Sequence, residues 1–188
     1  MGVLVNVIHN PDNIKRREVL LRELESQGID NYELWGSIHD SKSVQAGINK
    51  AHKQIVQWAK EERLKEVIIF EDDIKFLGQG AFEYYLRHKP KDYDLYLGGI
   101  YLGKIVNDIV EKFTALHCYM VHERFYDTFL NTDSNNHLDG ELAGLGKYYV
   151  CDPFIAIQHN GWSSNSKRYE NFDSLFTHRN LFNDKIKV

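Results

Sequence analysis

Apolar residues along this chain come in short runs separated by polar turns, and strand-like and helix-like patterns alternate. Residues 3–8 (Val3-Leu4-Val5-Asn6-Val7-Ile8) are almost wholly apolar and end in the turn cluster His9-Asn10-Pro11-Asp12-Asn13, which predicts a buried strand and a loop. Residues 14–27 place Leu20, Leu21 and Leu24 on one side and stop at Gly28, as a helix does. Residues 31–37, with Tyr32, Leu34 and Trp35, predict a second strand. Ser41 or Ser43 can cap the next helix, where Val44, Ile48, Ala51, Ile55 and Trp58 advance in steps of four, three, four and three. Val67-Ile68-Ile69-Phe70 reads as a strand buried on both faces, and it runs straight into Glu71-Asp72-Asp73.

Further on, Phe82, Tyr85 and Leu86 mark a short helix after Gly80, and residues 94–97 a strand closed by Gly98-Gly99. A strand is expected over 114–121, helices over 123–130 and 139–145, and short strands over 148–150 and 155–157 around Pro153. After Gln158 the sequence is polar, and an irregular tail is expected from about residue 166. This alternation predicts one α/β domain over residues 1–188, with a central, mostly parallel, mixed sheet and helices on both faces. Ligands of such folds sit beyond the carboxyl ends of the strands. The loop after residues 3–8 and the acidic triplet both lie at such ends.

Composition narrows the function. With 188 residues, 43% of them hydrophobic, the chain can bury a sizeable core. Its 23 basic and 27 acidic residues give a net charge of −4, without the basic bias of a nucleic-acid groove. No apolar run approaches the roughly 18 residues of a membrane span, and residues 1–8 lack the basic leader of a signal peptide. Cys118 and Cys151 sit in apolar contexts and read as buried thiols. A cytoplasmic protein, at most peripheral to the inner membrane, is expected.

Three adjacent carboxylates repel one another unless a positive partner sits among them. A hard divalent cation, Mn2+ or Mg2+, is the expected partner, and such ions bring substrate phosphates with them. In an extended segment Glu71 and Asp73 share one side and Asp72 faces the other. Glu71 and Asp73 are therefore the candidate metal ligands, sharing one cation, or one binding metal while the other contacts a ribose; Asp72 is a further candidate for the donor. A solvated acidic turn explains the triplet alone about as well. His159, leaving the last strand into Asn160-Gly161-Trp162-Ser163-Ser164-Asn165, can complete the metal site, and the Ser163 loop can cradle phosphate. Arg16 and Arg17 open a helix, where anions are favoured, just beyond His9 and Asn10. These four residues are the candidates for the nucleotide. His52 fits either the crevice wall or a hydrogen-bonded core position, and the core is favoured.

The segments Asn13-Ile14-Lys15-Arg16-Arg17, Gly47 through Ala51-His52-Lys53, Ile68-Ile69-Phe70-Glu71-Asp72-Asp73 and Leu138-Asp139, with Gln158 and Ser163, together resemble glycosyltransferase family 25, the lipopolysaccharide and collagen-type sugar transferases. The resemblance covers most of the chain from Val3 to about Asn165. It departs from the family at Ala51, Ile48 and His9-Asn10-Pro11. It implies a GT-A-like nucleotide-diphospho-sugar transferase fold. It also implies metal-dependent transfer of galactose or glucose from a UDP-sugar donor to a glycan or other hydroxyl acceptor. For inverting transfer it points to Asp139 as the base, with Glu141 second; helix capping by Asp139 is the competing explanation. Two other functions are open: a binding module without turnover, and an α/β phosphotransferase. No glycine-rich phosphate loop follows the first strand, which weighs against the latter.

Overall fold

The computed structural model describes residues 2–106 and 109–183. Strand β1 (Val5–His9) leads through an Asn13-capped turn into helix α1 (Ile14–Ser26), and β2 (Tyr32–Gly36) follows. Ser43, rather than Ser41, caps helix α2 (Val44–Glu61): its hydroxyl accepts the Ala46 N–H at 3.1 Å. Then come β3 (Glu66–Glu71), β4 (Ile74–Phe76), α3 (Ala81–Arg87) and β5 (Leu95–Leu97). Strands β6 (Gly103–Val106), β7 (Ile109–Phe113) and β8 (Cys118–His122) precede α4 (Tyr126–Leu130) and α5 (Leu138–Leu142). Strands β9 (Tyr148–Val150), β10 (Ala156–Gln158), β11 (Gly161–Ser163) and β12 (Arg168–Glu170) complete the set.

Eight strands form one sheet in the order β2-β1-β3-β8-β5-β9-β7-β6. The pairings make β8 and β7 run against the other six, so the sheet is mixed and mostly parallel. Successive residues of β3 face opposite sides. Val67 and Ile69 join a core with α2 and α4, and Ile68 and Phe70 join one with α1 and α3. Helices therefore cover both faces, as expected of an α/β layer fold. Cys118 and Cys151 are buried free thiols.

Three features depart from the sequence reading. The strand expected over 114–121 begins only at Cys118, and residues 114–116 instead run along the cleft described below. The β6–β7 hairpin was not foreseen; β6 is exposed along its whole length, so it carries no apolar alternation. The segment 166–183 is structured: β12 pairs with β11, a 3-10 turn spans Asp173–Phe176, and Phe176 and Phe182 are buried in the two cores.

Gly47 lets α2 press against the loop after β2. A Cβ there would stand 2.1 Å from the Ile38 carbonyl oxygen, a backbone atom that cannot swing away. In an open helix, Gly→Ala would gain about 1 kcal/mol. Here overpacking, typically about 1–3 kcal/mol, opposes that gain, and the contact is too short to relax cheaply. Gly47→Ala is expected to lower the urea midpoint; an unchanged or raised midpoint would show that the loop yields.

Candidate active site

The carboxyl ends of β1, β2 and β3 open onto a cleft of about 820 Å³. Its walls include His9, Asn10 and Arg16 from the β1–α1 turn, Glu71, Asp72 and Asp73 after β3, Gln158 at the end of β10, Asp139 on α5, and Ser163 to Ser166 on the tail hairpin. Strand β4 pairs antiparallel with β10, opposing Ile74 to Gln158, and this pairing carries Gln158 to the acids.

The triplet is not arranged as period-two geometry predicts. Strand β3 ends at Glu71, and Asp72-Asp73 form a turn, so alternation stops there. Both aspartates consequently meet Arg16: its Nη1 lies 3.0 Å from Asp72 Oδ1 and its Nη2 2.8 Å from Asp73 Oδ2. Gln158 Nε2 donates to Glu71 Oε2 at 3.1 Å and to Asp73 Oδ1 at 2.9 Å. The Asn10 backbone N–H donates to Asp72 Oδ2 at 3.0 Å. His52 is buried, with Nε2 3.2 Å from Glu71 Oε1 and Nδ1 2.7 Å from the Tyr119 hydroxyl. The His52 ring bridges the Tyr119 hydroxyl and the Glu71 carboxylate, using both of its nitrogens. His52 is thus hydrogen-bonded in the core and at the same time lines the cleft, so both readings of it meet in one residue, and the ring also orients Glu71.

Burial dominates the electrostatics. It pushes the Asp73 carboxyl up to about 7, aided by Glu71 and Asp72 and opposed by Arg16 and Gln158. Burial also raises Asp72 against the pull of Arg16. On Glu71 the burial penalty is outweighed by the His52 hydrogen bond and by the charges of His52, His117 and Arg16, and its value falls. Burial works against the Arg16 charge, but Asp73, Asp72 and Glu71 more than offset it and raise Arg16.

The other candidates divide. Ser163 lines the cleft, its Oγ accepting the Ser166 N–H at 3.2 Å. His9 is nearly buried in the wall, and its Nδ1 has no partner among the described residues. Asp139 lines the cleft and accepts the Ala115 N–H at 3.2 Å and the Gly140 N–H at 2.9 Å. The cap position of α5 belongs to His137, so capping does not explain Asp139. Glu141, two residues on, faces away, holding the Asp133 N–H and the Asn136 amide. Arg17 is exposed on α1 and does not line the cleft.

His159 is not brought to the acids either. Its backbone N–H donates to the Asp73 carbonyl at 2.7 Å, but the ring turns to Glu23 of α1, 2.9 Å away. Among the described residues no group of three or more His, Cys, Asp or Glu side chains is arranged to hold a metal ion. The donor set as built therefore does not fit the expected divalent cation. Tyr101, an aromatic that the sequence offers for stacking on a sugar ring or for packing, lines the cleft, stacks on Phe172 with centroids 5.0 Å apart, and keeps its hydroxyl buried without a partner among the described residues.

No family model matches the sequence, and no curated protein matches it. Solved structures do. HddC from Yersinia pseudotuberculosis, complexed with GMP-PN, aligns at TM-score 0.52 and 10% identity over 80% of this chain and 90% of that one. A glycosyltransferase involved in glycosylation of the major capsid of PBCV-1 aligns at TM-score 0.47 and 12% identity, over 81% of this chain and 83% of that one. The inositol-1-phosphate CTP transferase from T. maritima aligns at 0.47 and 10%, over 77% and 63%. The chain thus shares the α/β fold of HddC, a mostly parallel mixed sheet with helices on both faces. Among the described residues no helix is long and apolar enough to cross a membrane.

Because the folded protein raises Asp73 above its ordinary value, the folded state holds that proton more tightly than the unfolded chain. The resulting stability is complete below about pH 4 and is lost as pH rises toward 7, at up to about 1.4 kcal/mol per pH unit. Asp73→Asn is expected to flatten this slope and to melt higher than the parent at pH 8. Parallel pH–melting curves for the two proteins would refute it.

Proposed function

We propose that the chain is a glycosyltransferase that moves a hexose, galactose or glucose, from a UDP-sugar to a hydroxyl of a glycan or other acceptor. One observation carries this reading: the acidic triplet and Asp139 line a single cleft, at the strand ends where α/β sheets bind ligands. HddC, which shares the fold, was solved complexed with GMP-PN, and this supports a nucleotide in the cleft here. The resemblance to family 25 adds the hexose and a lipopolysaccharide-type acceptor.

The nucleotide lies along the end of β1, against His9 and Asn10, with Asp72 toward its ribose. Asp139 accepts the proton of the acceptor hydroxyl as that oxygen bonds to the anomeric carbon. The bond from that carbon to the diphosphate oxygen breaks, and UDP leaves with the electron pair. Arg168 and the serines at 163, 164 and 166 line the same cleft and supply donors for the departing diphosphate. No step here runs through a metal ion.

Thermal shift over a panel of nucleotide sugars, followed by assay of free UDP with candidate acceptors, tests the reading. A UDP-hexose is expected to raise the melting temperature and to be turned over. Stabilisation by no nucleotide sugar would overturn the donor assignment. Binding without release of UDP would identify a binding module. Asp139→Asn keeps an acceptor for one of its two backbone N–H groups, so its stability cost is about 1 kcal/mol. Loss of a general base lowers transfer by roughly 100- to 10,000-fold. A variant that binds donor and transfers sugar normally would remove Asp139 from that role.

A further inference from the structure

We propose that Arg16 is the resident cation of the acidic triplet, and that a divalent metal ion can enter this site only by displacing it. Each of the six carboxylate oxygens already faces a protein donor. Glu71 takes His52 and Gln158, Asp72 takes Arg16 and the Asn10 N–H, and Asp73 takes Arg16 and Gln158. Each oxygen keeps a second lone pair, but the space is taken: the guanidinium spans both aspartates at 3.0 and 2.8 Å. A metal bound to Asp73 at about 2.0–2.6 Å would need the position that Arg16 holds.

Two further observations point the same way. Gln158 turns its amide nitrogen, not its oxygen, toward Glu71 and Asp73; with two carboxylates facing it, only the nitrogen can donate. The groove between those acids therefore presents a donor where a metal would require acceptors. The histidine that could complete a ligand set, His159, is held by Glu23 on the far side of the turn. Arg16 itself is anchored. Its backbone N–H bonds the Asn13 side chain at the start of α1, and the adjoining Asn10 backbone is tied to Asp72. A planar, permanently charged fork suits two carboxylates that a point charge would serve less well.

The test uses the full chain without nucleotide, so its outcome and that of the transferase reading are independent. Mn2+ is titrated and the free ion followed by electron paramagnetic resonance. Arg16→Gln is expected to bind Mn2+ at least about tenfold more tightly than the parent. Adding Asp73→Asn to Arg16→Gln should abolish the gain, and Arg16→Lys, which keeps the charge but loses the fork, should bind Mn2+ more weakly than Arg16→Gln and more tightly than the parent. A parent that binds Mn2+ as tightly as Arg16→Gln, or a variant that binds it more weakly, overturns the proposal. Should Arg16→Gln fail to fold, the parent decides: a rise in its melting temperature with Mn2+ alone overturns the proposal, and no rise upholds it.

Discussion

Three carboxylates at the end of a buried strand are the constraint around which the rest of this molecule is arranged. Water cannot solvate them well there, and each one raises the cost of ionising the next. The protein answers with a guanidinium from α1, an amide from β10, an imidazole from α2 and a backbone N–H from the first loop. These donors come from three separate stretches of chain, the β1–α1 turn, α2 and β10. The acidic cluster thus dictates where β1, α1, α2 and β10 must end relative to β3. A cluster so expensive to bury contributes little to stability by itself, which is the usual signature of residues retained for chemistry.

Much of this was legible in the sequence where one period ruled a segment. The apolar run of β3, the steps along α2 and the first strand with its turn are strong signals because burial on a whole face selects them. Legibility failed where a period ended. Asp72 was assigned to the far side because strand geometry was carried one residue too far; the turn brings it beside Asp73 onto Arg16. His159 was assigned inward, yet adjacent residues leaving a strand face opposite sides. Gln158 took the inward position and His159 went to Glu23. On the helices a rotation of about 100° per residue separates Asp139 from Glu141 and Arg16 from Arg17. Nothing local foretold that Glu23 or Ala115 would supply the partners, since those contacts depend on packing between distant segments.

The wall of the cleft that carries Asp139 is held from behind. Asn49 of α2 donates to the carbonyls of Asp133 and Asn136, and Lys53, one turn on, donates to the Thr132 carbonyl and, at 2.9 Å, to Ser134. Both side chains are buried. The loop at 131–137, otherwise a polar connection, is thereby fixed to the helix that also supplies His52. The two walls of the cleft accordingly share one rigid backing, and the distance between the acids and Asp139 is set by α2.

The tail closes the molecule in a way that bears on how it is made. Phe154 pairs with the segment at 180–182, Phe176 enters the core beside α2, and Phe182 enters the core beside α1. Residues 163–175 supply one bank of the cleft. A chain emerging from the ribosome in order can pair β1, β2 and β3 early, but both apolar layers stay open until these later residues appear. A nascent chain interrupted before residue 154 would display unpaired apolar faces on each side of its sheet, and it would be a substrate for chaperones or proteases.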